Sequence, residues 1–290
     1  MSLTLNMVGG SSGGGLSGSA AVLEVISRVG STVSITDGVE TRTQTPADAH
    51  IEDANSALAA YIFTINSDKF GTWTISATES GITQEKTVSV TTNDLYMIDV
   101  YANVPTEYQE VEYLQSSGSQ RIDTEVTSVN GIDIKFKYNS TTNNTSIYGA
   151  RSSQSGTDRY FFVIYNGNFL PYPSPSGASN LGSANTNEHT LKTGEAFNGH
   201  LYFDGSDKGT VNTTYTSPLS LYLFAEHWSS SQSSSSRIYY AKLYKGNSLE
   251  RDYYPCYRKS DSVAGLYDRL NKVFYTNSGS GSFSVGSDVG

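Results

Sequence analysis

Short runs of apolar and aromatic residues with a period of two, cut repeatedly by Gly, Ser, Asn and Asp, constrain this chain more than any catalytic signature does. In GTWTISAT, Trp73, Ile75 and Ala77 alternate with Thr72, Thr74, Ser76 and Thr78, and in GIDIKFKY, Ile132, Ile134, Phe136 and Tyr138 alternate with Asp133, Lys135 and Lys137. Successive side chains of a strand point to opposite faces, so each run describes a half-buried strand. The segments EVEYLQSSGSQRIDTEV (110–126) and GLYDRLNKVFYTNSGSGSFSV (265–285) bracket the C-terminal two-thirds, and each reads as strand, turn, strand. The chain is therefore expected to be all-β.

Three regions follow from the same reading. Residues 1–20, with LTLNMV followed by GGSSGGGLSGSA, have the composition of a flexible tether. Residues 21–103 carry period-two runs at Val33 and Ile35, Phe63 and Ile65, Val88 and Val90, and Tyr96, Ile98 and Val100. Turn signals at Asp37-Gly38, Asn66-Ser67-Asp68 and Ser80-Gly81 separate them, a density that predicts a small immunoglobulin-like β-sandwich. The Ala-rich stretch 46–60 is expected to be a loop with a short helix, and NSDKFGTW (66–73) an Asp-containing hairpin turn. A Pro-containing connection at 103–106 leads into residues 104–290, where RYFFVIYNG, HLYFDG, LSLYLFA and RIYYAKLYKG supply aromatic and branched strands. The polar stretches 139–158, 166–187 and 226–236 read as loops, where recognition usually sits.

Composition narrows the function. Charged residues make up 16% of the 290, and 21 tyrosines outnumber the 19 Lys and Arg, a surface suited to hydrogen bonding neutral polar ligands. The formal net charge of -9 and the absence of a basic stripe argue against nucleic acid, whose binders must displace counterions. A single cysteine, Cys256, cannot form an intrachain disulfide and is expected to be buried. No basic segment followed by an apolar run opens the chain, so no signal peptide is expected, and no stretch approaches the roughly twenty apolar residues of a membrane span. GGGLSG at 13–18 matches a dinucleotide fingerprint in letters only, since the strand-like VLEVIS follows it instead of a helix.

The segments EYQEVEYLQSSGSQRIDTEV, LYFDGSDKGT and RIYYAKLYKGNSLERDYYPCYRKSDSVAGLYDRLNKVFYTNSGSGSF resemble the concanavalin A-like, laminin-G-like jelly-roll domain of tail-associated proteins from phages and prophages of Gram-positive bacteria. The resemblance covers about residues 107–285, and the preceding segment with GTWTISAT and KTVSVTTNDLYMIDV resembles the immunoglobulin-like modules that precede such domains. It implies a virion protein of the phage tail, acting at the host cell surface, that binds a bacterial cell-surface polysaccharide and meets other tail proteins through its N-terminal segment. A trimer would suit a tail fibre, although no heptad repeat specifies one.

Jelly rolls of this class stack an aromatic ring on a sugar and satisfy its hydroxyls with polar side chains. His227 and Trp228, placed after a strand and before the Ser-rich run 229–236, are the leading candidates, with Trp228 as the stacking ring. Arg159, Tyr160, Asn166, Asn168 and Tyr172 could add polar or stacking contacts, though Tyr160 could equally be core and Tyr172 could cover the turn PYPSP. No cofactor, metal site or catalytic residue is expected. Asp204 is explained by its Asp-Gly hairpin, and the Glu-x-Asp-x-x-Glu of jelly-roll glycosidases is missing. The alternatives are a structural or decoration protein of the virion and, further off, a glycan-degrading enzyme.

Overall fold

The computed structural model describes residues 20–50, 58–79, 81–101, 103–152, 158–176, 180–228 and 232–289. Except for Ala20, the expected tether lies outside them, as do 51–57 of the Ala-rich stretch and 229–231 of the Ser-rich run. The protein is nearly all β, built of antiparallel sheets, and the helical elements among the described residues are three short 3-10 turns. It divides into two compact units, Met1–Pro105 and Thr106–Gly290.

Among the described residues the first unit is a sandwich of seven strands. Ala20–Arg28 lies antiparallel to Leu58–Asn66 and parallel to Leu95–Asp99, opposite a sheet ordered Thr41–Gln44, Thr32–Thr36, Gly71–Glu79, Ile82–Val90. Both sheets feed one core that includes Leu23, Val25, Val33, Ile35, Tyr61, Ile65, Trp73 and Ile75, and Val33, Ile35, Ile65, Trp73 and Ile75 are inward residues that the alternation predicts. The buried polar ends are satisfied: Tyr61 Oη donates to Ser31 O at 2.7 Å and Trp73 Nε1 to Lys69 O at 3.1 Å. Two expectations are corrected. The Ala-rich stretch gives a 3-10 turn at Pro46–Asp48 and then the start of strand Leu58–Asn66, where Ala59 and Ala60 are buried beside the first strand. Packing decides there, since small buried side chains fit a crowded sheet whatever their intrinsic preference. NSDKFGTW is not a hairpin turn, because the strands it joins, Leu58–Asn66 and Gly71–Glu79, belong to different sheets.

The second unit is a larger sandwich of jelly-roll-like character. One sheet has five strands in the order Ile122–Thr127, Ser220–Leu223, Thr145–Arg151, Arg159–Tyr165, Asn168–Tyr172. The other is eleven-stranded and contains Gly131–Tyr138 between Glu188–Gly194 and Ser235–Lys245. Ile132, Ile134, Phe136 and Tyr138 from this sheet share a core with Tyr148, Tyr160, Phe162, Ile164 and Leu223 from the other. The two bracketing segments meet: Leu114–Ser117 pairs with Ser284–Val285, and Ser278 N donates to Arg121 O at 2.9 Å. Within the first bracket the chain changes sheet, and the turn is held by Gln120, whose Oε1 accepts from Ser117 N at 2.8 Å. Cys256 is fully buried, and burial pushes its thiol well up.

The expected loops are shorter than the sequence suggests. Thr145–Arg151 lies inside 139–158 and Asn168–Tyr172 inside 166–187, and both are strands of the five-stranded sheet. A register shift between Ser146 and Tyr148 breaks the alternation of the first. The second contains Pro171, which a strand tolerates because this one is at the sheet edge.

Candidate functional site

The outward face of the five-stranded sheet carries the site. Along Arg159–Tyr165, the pleat sends Tyr160, Phe162 and Ile164 into the core and leaves Arg159, Phe161, Val163 and Tyr165 on the other side. The neighbouring edge strand adds Leu170 and Tyr172, in register with Val163 and Phe161. On the opposite flank, Thr145–Arg151 contributes Gly149, opposite Phe161, and Arg151, opposite Arg159. A fourth segment runs beside that strand: His227 N donates to Gly149 O at 2.9 Å and Arg151 N to His227 O at 3.2 Å. This brings Glu226 and Trp228 to the same place.

The result is a cleft of about 420 Å3, within the range of small-molecule sites. Phe161, Val163 and Leu170 line its apolar part, Arg151, Arg159 and Tyr172 its polar walls, and Tyr165, 51% exposed, its rim. A second recess of about 200 Å3, which includes Ser174, Asn212 and Thr214, shares Arg159 and Tyr172 with the first. The Arg159–Tyr172 pair is thus a ridge between two hollows.

Cations and rings alternate around the cleft. The Phe161 and Tyr172 rings stack at 4.8 Å between centroids, with planes 24° apart. Arg159 lies 4.3 Å from the centre of Tyr172, and Arg151 lies 5.3 Å from that of Phe161 and 4.7 Å from that of Trp228. Such contacts orient guanidinium planes against aromatic faces. Glu226 is only 1% exposed, and its Oε1 stands 2.6 Å from Arg151 Nε. Burial, only partly offset by Arg151 and Arg159, pushes its carboxyl from the ordinary 4.5 up to about 6. Space for it comes from Gly149, where a Cβ would lie 2.5 Å from Phe161 Cβ and 3.0 Å from Glu226 Cγ.

Of the residues singled out from the sequence, Arg159 and Tyr172 line the cleft, and Trp228 stands next to it against Arg151. His227 does not face the cleft: its ring stacks on Tyr222 at 3.9 Å and its Nδ1 donates to Ser220 O at 2.9 Å. Tyr160, 2% exposed, packs in the core against Tyr148 and Tyr215, so it cannot serve an outward site. Asn166 and Asn168 shape the hairpin beside the site: Asn166 and Gly167 take φ of 49° and 71°, and Asn168 Nδ2 donates to Asn166 O at 2.9 Å. Asp204 likewise occupies a tight turn, where its carboxylate accepts from Thr190 N at 2.9 Å and faces His189 Nδ1 at 2.8 Å. Among the described residues no group of three or more His, Cys, Asp or Glu side chains is placed to hold a metal. The sequence reading missed Arg151, Phe161 and Glu226. Strand parity was the available signal for Phe161, since Arg159 and Tyr160 are neighbours on one strand and cannot both face a ligand.

No family model, no curated protein and no solved structure matches the chain.

Proposed function

We propose that the protein is a phage or prophage tail component whose C-terminal sandwich reversibly binds a bacterial surface glycan in this outward-facing cleft. The observation that carries the reading is the grouping of Tyr172 and Phe161 with Arg159 and Arg151 around a hollow of saccharide size, with Trp228 beside it against Arg151. Aromatic faces suit the apolar face of a pyranose, and fixed guanidinium groups supply donors to its oxygens. Glu226 is the one carboxylate among the described residues that line the cleft. Glycoside hydrolysis of the usual kind needs two carboxylates across the scissile bond, which favours binding over cleavage. The tail assignment rests on the resemblance of the segments 107–285, and fold-level likeness carries less about function than the site does.

Weak single sites gain strength when several copies act together, because each later contact forms at high effective concentration. The test is binding of the whole chain, free and clustered on beads, to a panel of bacterial cell-wall polysaccharides, beside Trp228→Ala. Saturable binding weakened by Trp228→Ala supports the reading. No binding to any glycan even when clustered replaces it with a structural role in the virion.

A further inference from the structure

Charge around the cleft runs against that of the molecule. The chain carries a formal net charge of -9, yet the cleft brings together two arginines and one carboxylate. The carboxylate is already engaged: Glu226 faces Arg151 at 2.6 Å. Arg159 also faces Glu226, but among the described residues it forms no ion pair as close as that one. Its guanidinium carbon lies over the Tyr172 ring, 4.3 Å from its centre, and its Nε is buried without a hydrogen-bond acceptor. An always-charged group with a buried, unmatched donor is costly unless something completes it. Stacking occupies the face of a guanidinium and leaves its in-plane N–H groups for a planar or tetrahedral oxyanion.

We propose that the ligand of this cleft is an acidic glycan, whose carboxylate or phosphodiester pairs with Arg159 while a sugar ring packs beside Tyr172. The proposal rests on the glycan-binding reading and adds the chemical class of the sugar. A neutral glycan would leave the Arg159 donors half-matched by hydroxyls. An anionic one sets a full opposite charge against the guanidinium, with an expected gain in affinity of about tenfold. The two hollows flanking the Arg159–Tyr172 ridge give room for the neighbouring sugars of a polymer on either side of the paired anion.

The experiment uses one wall-polysaccharide preparation in three forms: untreated, carboxyl-reduced so that each carboxylate becomes a hydroxymethyl, and dephosphorylated with hydrofluoric acid. Each is titrated against the whole chain and against Arg159→Gln, with thermal melts confirming that the variant is folded. The expected result is at least about tenfold weaker binding to one treated form, which identifies the anion. Arg159→Gln should bind the untreated glycan only as well as the wild type binds that treated form. Equal binding of all three forms by the wild type overturns the acidic assignment and leaves glycan binding intact. Unchanged discrimination in a folded Arg159→Gln also overturns it, by moving the anion elsewhere. No binding to any form, free or clustered, removes the glycan reading itself.

Discussion

Glu226 is a buried carboxylate in the wall of the cleft, held against Arg151. Its folded pKa of about 6 lies above its ordinary 4.5, so the folded chain binds this proton more tightly than the unfolded chain does. Above pH 6 both states carry the charge and the cost of burying it stands in full. As pH falls from 6 towards 4.5 the folded state is protonated first and that cost is relieved. The shift corresponds to about 2 kcal/mol. Denaturant unfolding of the wild type should therefore gain about 1 kcal/mol between pH 7 and pH 5 relative to Glu226→Gln, and parallel profiles for the two would refute the assignment. The charged groups facing Glu226 are Arg151 and Arg159. Both stay protonated throughout this window, so the difference profile isolates the carboxylate. Gly149 is the complementary case, a residue needed for what it lacks. Gly149→Ala places a methyl 2.5 Å from Phe161 Cβ in the middle of a sheet, and a loss of about 1–3 kcal/mol is expected in chemical denaturation. Neither role was legible in the sequence. Glu226 follows a strand like any surface carboxylate, and only the passage of residues 225–228 beside Thr145–Arg151 puts it against Gly149 and Arg151.

At the scale of elements, the strands with uninterrupted alternation could be read directly. Gly131–Tyr138 and Gly71–Glu79 bury the residues their pattern selects. The Asp204-Gly205 hairpin was also readable, because positive φ at both positions is a local demand that Asp-Gly meets. The strands that escaped reading each break a local rule for a non-local reason. Thr145–Arg151 carries a bulge and a glycine imposed by Glu226, and Asn168–Tyr172 carries a proline that only an edge position permits. Those two strands form one side of the cleft each, so missing them hid the site's geometry while leaving the fold class visible. The pairing of the brackets has its own consequence. Phe283, from the final strand segment, packs on Phe224 at 5.0 Å between ring centres, where residues 114–117, 224 and 283–285 close the sandwich. Phe283→Ala should lower the stability of the second unit by about 3 kcal/mol while the first unit melts as before, a separation that calorimetry can resolve. A single uniform loss across both transitions would contradict two independent cores.

For the whole molecule, the physical division of labour follows from two cores and one cleft. Each unit buries its own apolar set, so each satisfies the requirement of a domain, and the recognisable chemistry is concentrated on one sheet of the second. The candidate ligand residues were partly legible because aromatic and basic side chains near strand ends stand out in a Ser- and Thr-rich chain. Their assembly was not, since the cleft draws on four segments spread between Asn144 and Glu226 that only sheet order brings together. The proposed function makes the Tyr172 side of this sheet a glycan-binding surface. Its most direct test is saturation binding of the clustered chain to intact Gram-positive cells, competed with their purified wall polysaccharide, for the wild type and for Tyr172→Ala. Loss of a stacking ring should weaken binding by at least about tenfold with the melting temperature nearly unchanged, and the free polysaccharide should compete with the wild type. Tyr172→Ala that binds as the wild type does, or wild-type binding that the polysaccharide cannot displace, would contradict the claim.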